Sequence, residues 1–131
     1  MLFRSEQDAS KAVGIVHSLM SAGKKPYEII GILCWHFKRI LKAKALLSKG
    51  ATEFSIGQML RIPRRNAKEF FAQVRSFSDD EIRSRMETLL EADLNIKRPR
   101  YSTSLVMEFT VIRLCLGGSG SQPLRQARSL S

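Results

Sequence analysis

Few side chains in this chain are spaced for covalent chemistry. Cys34 and His36 are the nearest pair of metal-ligand types, but they fall in a stretch patterned as a helix, where residues two apart point to nearly opposite sides. Asp93 shares a helical stripe with Ile82, Met86 and Leu89, so its carboxylate is aimed toward an apolar face. A charge placed there needs an Arg, a backbone amide or a helix N-terminus, and neither histidine is spaced to exchange a proton with it. Gly117-Gly118-Ser119-Gly120 follows no strand and lacks the lysine of a phosphate-binding loop. No triad or zinc signature is present. The expectation is a non-catalytic chain with no metal and no cofactor.

Binding chemistry is better represented. Lys97-Arg98-Pro99-Arg100-Tyr101 sets three cations and a ring on a short connector, a combination able to hold backbone phosphate while Tyr101 stacks on a base. The plainer reading has Tyr101 packing down on its own domain. Arg64, Arg65 and Asn66 open a helix that follows an Ile62-Pro63 turn, the position from which a helix-turn-helix reads DNA. With so few base-reading side chains there, non-specific backbone contact is the stronger expectation, and helix pairs of this shape also serve as plain packing units. Trp35, the only tryptophan, projects among Lys38, Arg39, Lys42 and Leu46, opposite the apolar side of its helix. It is either an anchor for another subunit or for an unstacked base, or a ring covered by a neighbouring helix with the lysines snorkelling around it.

The elements that must position these groups are all helical. Ser5 to Ala22 is predicted as a first helix, with Ala12, Ile15, Val16, Leu19 and Met20 inward and Gly23 ending it. Pro26 suits the first turn of a second helix that stops before Gly50. On it Ile30, Leu33, Cys34, Phe37 and Leu41 form a core face, widened by Ile29, Ile40 and Leu47. A short amphipathic helix runs from Ile56 into the Ile62-Pro63 turn, and Arg64 to Phe77 places Ala67, Phe70, Phe71 and Val74 at helical spacing. Ser78-Asp79-Asp80-Glu81 is a capping box for a further helix through Lys97. The last helix, Ser104 to about Leu116, is apolar nearly all round, and a domain this small has difficulty covering it completely. Part of its surface, at Met107, Val111 and Leu114, is therefore expected to face another protein together with Trp35 and Arg39.

The chain has 131 residues, 44% of them hydrophobic, and a formal net charge of +10. That length makes one domain, and that charge favours acidic partners such as nucleic acid or an acidic neighbouring subunit. No apolar run approaches the roughly 20 residues that span a bilayer, and the start at Met1-Leu2-Phe3-Arg4 does not resemble a signal peptide. A cytoplasmic chain without membrane contact is expected, with Cys34 and Cys115 as free, buried thiols. Residues 1–116 form the helical domain in this reading. Residues 117–131, beginning Gly117-Gly118-Ser119-Gly120-Ser121, form a disordered basic tail.

The order of these pieces resembles a known family. The Ile62-Pro63 turn, Arg75-Ser76-Phe77-Ser78, Leu90-Glu91-Ala92-Asp93-Leu94 and Arg113-Leu114-Cys115, together with the long helix carrying Phe37-Lys38-Arg39-Ile40-Leu41-Lys42-Ala43-Lys44, resemble the C-terminal collar domain of the delta subunit of bacterial DNA polymerase III. The resemblance runs from near Ala12 to Cys115. It implies an all-α, compact bundle of about five or six helices, a collar that joins the gamma/tau and delta-prime subunits of the sliding-clamp loader. ATP binding and clamp opening would reside in other domains, for which this chain is too short. It further implies that the Tyr101 loop meets primer-template DNA without sequence specificity. The alternative from another class is a helix-turn-helix DNA-binding protein using residues 55–77.

Overall fold

Most of the described helices begin or end on a locally encoded signal. In the computed structural model, which describes residues 3–98 and 100–117, α1 spans Glu6–Ser21, α2 Pro26–Ser48, α3 Glu53–Met59, α4 Arg64–Ser76, α5 Asp79–Lys97 and α6 Thr103–Leu116. Ser5, Thr52, Ser78 and Ser102 each accept a hydrogen bond from a first-turn amide of the helix they precede. At Ser78 the box is reciprocal, because Glu81 accepts from the Ser78 amide at 3.1 Å. Thr52 explains why α3 starts earlier than the apolar pattern predicts: its hydroxyl supplies the cap, and Glu53 fills the first turn.

Three helix ends share one geometry. The amide of Lys24 reaches back to the Leu19 carbonyl at 2.9 Å, Ala51 to Leu46 at 3.1 Å and Ile62 to Gly57 at 2.8 Å, the long-range bond of a Schellman cap. The left-handed residue is Gly23 in the first and Gly50 in the second, but Arg61 in the third, with φ 55°. A side chain in that conformation costs roughly 1–2 kcal/mol relative to glycine.

Packing runs as a chain of neighbours: α1 on α6, α6 on α5, α5 on α2, and α2 on α4, with α3 against both α2 and α4. Among the described residues there is no strand, and the all-helical expectation holds. Phe37, Ile40, Phe77, Leu89, Met107 and Leu114 make the fully buried centre. Phe77 is held on two sides by guanidinium groups, with Arg4 at 4.8 Å and Arg85 at 4.9 Å from the ring centroid. Arg85 is itself buried, and its Nε donates to the Leu114 carbonyl at 3.2 Å, in the last turn of α6.

Several expectations change once neighbours are in place. α6 is covered by its own chain: Met107, Val111 and Leu114 are all buried between α1 and α5, so their side chains do not form an outward interface. Two antiparallel neighbours cover a stripe wide enough to close around a 14-residue helix, and Leu105 and Leu116 are the large apolar side chains it leaves outside. Ile15, read as inward, is 51% exposed, while Ala9 turns inward instead. Leu33, Cys34 and Leu41 are only half-buried on α2. Asp93 takes none of the anticipated partners and pairs with Lys97 one helical turn on, at 2.8 Å. The expectation of a disordered tail falls on residues 118–131, outside the described residues.

Candidate subunit and nucleic-acid surfaces

Trp35 stands on the flank of α2 that looks toward the start of α4. It is 57% exposed, so no described helix covers it. Arg39, one turn on, lies with its guanidinium carbon 4.2 Å from the Trp35 ring centroid and 5.5 Å from that of Phe70. Its Nη2 donates to the Leu60 carbonyl at 2.9 Å. The cation therefore links α2, the end of α3 and α4, and orients the tryptophan ring without covering it. Desolvation holds the Arg39 pKa below its ordinary value, yet the group stays charged at any physiological pH.

Behind Trp35 an aromatic cluster stiffens the wall. His36 packs edge-on against Phe37 and Phe70, and its Nε2 lies 2.6 Å from Oε1 of buried Gln73. With that oxygen accepting, Nε2 carries the hydrogen. Burial depresses the His36 pKa, partly opposed by the Gln73 hydrogen bond. Trp35, His36, Arg39, Pro63 and Phe70 border a groove of about 440 Å³. A smaller apolar cleft of about 140 Å³ adjoins it between α1 and α2, sharing Phe3, Ile32 and Leu33. Ile15 and Ile32, both more than half exposed, extend the apolar band beyond Trp35. The sequence places Ile15 on the inward stripe of α1 and gives Ile32 no role, although Ile32 lies three residues before Trp35 and so on the same helical flank.

The basic groups named from the sequence lie at two helix ends. Arg64 and Arg65 are exposed at the first turn of α4, while Arg98 and Arg100 are exposed at the junction of α5 and α6. Lys97 is engaged by Asp93. Tyr101 is half-buried and packs against the core, so the plainer of its two readings is the one observed, and its ring is not a free stacking platform. Pro99 lies outside the described residues. Arg64, but not Arg65, borders a second groove between α3 and α4.

Among the described residues no group of three or more His, Cys, Asp or Glu side chains could hold a metal ion. Cys34 and Cys115 are free, and burial pushes the Cys115 thiol up to about 11, which keeps it protonated and unreactive. No described helix is long and apolar enough to cross a membrane.

The class that the described residues define is an all-helical domain with an exposed aromatic-cation pair. The chain is, more particularly, a member of the family "DNA polymerase III delta subunit, C-terminal domain", whose model matches residues 4–114. It is similar to DNA polymerase III subunit delta of Bacillus subtilis (strain 168), with 23% identity over 114 residues, covering 87% of this chain and 33% of that protein. The chain thus spans about a third of the relative's length. No solved structure matches it.

Proposed function

We propose that this domain is the non-catalytic collar through which a DNA polymerase III delta subunit joins the gamma/tau and delta-prime subunits of the sliding-clamp loader. It thereby supports loading of the processivity clamp in the bacterial cytoplasm. The observation that carries this reading is the exposed Trp35, oriented by Arg39 on an apolar band that continues through Ile32 and Ile15. Large aromatic and Arg side chains that are already held in place lose little entropy when a partner covers them, which is why they dominate subunit interfaces. Met107, Val111 and Leu114 act one step removed, as the core that holds α1 and α5 in register. Arg98 and Arg100 are the cations of the α5–α6 junction that would reach template phosphates, without a stacking contribution from Tyr101.

The test is co-purification with the gamma/tau and delta-prime collar domains from the same organism, with and without primer-template DNA. Co-elution without DNA, abolished by Trp35→Ala in a protein that still folds, is the expected result. Failure of the unmodified chain to associate sinks the proposal.

A further inference from the structure

We infer that the groove between α3 and α4 binds single-stranded nucleic acid, with Phe54 as its stacking face and Arg61, Arg64 and Lys68 as its phosphate contacts. The groove has a volume of about 580 Å³ and a partly apolar floor that includes Ile62, Ala67 and Phe71. Phe54 stands on its wall with 67% of its surface exposed, the most exposed large apolar side chain among the described residues. Among the described residues no aromatic ring or cation packs on it.

Charge separates this groove from the rest of the basic surface. Among the described residues Arg61, Arg64 and Lys68 have no carboxylate within ion-pair distance. The fourth cation, Arg75, is occupied by Glu53 at 2.6 Å. The first turn of α4 carries no acid and its Pro63 supplies no side-chain cap, so the helix terminus adds to the positive potential. Arg61 occupies the left-handed position that glycine fills at the two sister caps, and this places a cation at the groove mouth at a cost in backbone strain.

A bare aromatic face among unpaired cations fits an anion that brings its own flat apolar surface, as a nucleotide does. In a duplex the bases are stacked on one another and offer no face to Phe54. In a single strand a base can lie on the ring while its flanking phosphates meet the cations. The site is distinct from the Trp35 flank of α2, so it can be tested separately from assembly.

The experiment is fluorescence anisotropy of the whole chain with a labelled oligothymidylate, across a series of salt concentrations. Affinity is expected to fall with salt, and each of Arg64→Gln and Lys68→Gln should reduce the log-log slope by ~0.7. Phe54→Ala should weaken binding by roughly tenfold or more, with Phe54→Trp retaining it. Arg61→Gly should weaken binding while leaving thermal stability unchanged or higher, a combination that misfolding cannot produce. Absence of oligothymidylate binding at low salt overturns the inference. Tighter binding of a duplex, indifferent to Phe54→Ala, overturns it in favour of a helix-turn-helix reader. Equal competition by polyglutamate, again indifferent to Phe54→Ala, overturns it in favour of an acidic protein partner.

Discussion

The guanidinium of Arg39 rests 4.2 Å from the centre of the Trp35 ring while donating to the carbonyl of Leu60, 21 residues away in sequence. One side chain thus orients an exposed aromatic ring and also ties the end of α3 to α2. Its two duties are separable by substitution.

Arg39→Lys keeps the charge but loses the planar fork that bonds Leu60 and lies against Trp35 at the same time. The expected loss is about 1 kcal/mol of unfolding free energy in urea titrations. Trp35→Ala removes a ring that is already more than half in water, so it should change stability by less than about 1 kcal/mol while abolishing co-elution. A large stability loss in Trp35→Ala would show that the ring belongs to the core.

Leu114 and Arg85 should behave in the opposite way. Leu114 is fully buried, and Leu114→Ala should cost about 3 kcal/mol through lost contacts and the cavity left behind. Arg85→Ala strips the Leu114 carbonyl of its donor and Phe77 of a cation, with an expected cost of about 2 kcal/mol. Gly117→Ala should destabilise the same corner, because its Cβ would stand 3.3 Å from Nη2 of Arg85 at a φ of +79°. Midpoints of chemical denaturation check all three. Normal stability in Leu114→Ala with lost partner binding would restore α6 as an outward interface.

Acid should reveal His36. Burial, the dominant cause, holds its pKa below the ordinary 6.5, against the opposing Gln73 hydrogen bond. The unfolded chain therefore binds the proton more readily than the folded one. The contribution of the neutral imidazole is complete above about pH 6.5 and is lost as pH falls from there through the folded pKa. Unfolding free energy measured from about pH 7 down to about pH 5 should decline, and His36→Gln should flatten that decline. The depressed Glu81 carboxyl, stabilised first by the Ser78 amide and then by Arg4, adds its own loss only at lower pH. A pH profile unchanged by His36→Gln would remove His36 as its source.

What the residues determine alone is local. Ser5, Ser78 and Pro26 mark helix starts, Gly23 and Gly50 mark ends, and the apolar spacing of Phe70, Phe71 and Val74 marks an inward face. These signals operate within a few residues, through caps and periodicity, and so do not depend on the rest of the fold. The family likeness is legible for the same reason, since it rests on the order of such local pieces.

Burial is a relation between elements, and there the tertiary structure decided. The all-round apolar α6 is equally compatible with a partner's surface or the chain's own core, until α1 and α5 close on Met107, Val111 and Leu114. Ile15 fits the inward stripe of α1, yet it falls at the rim because α6 covers a narrower band than the stripe's width. Tyr101 could stack outward or pack inward, and it packs inward because the core lies within reach of a short connector. The pairing of Trp35 and Arg39 is written at helical spacing, but only the Leu60 carbonyl, brought there by the α3 turn, holds the cation in place. The physical reason is the same throughout: local spacing sets where the apolar side chains stand, whereas the number and approach of neighbouring elements set how much of each leaves water.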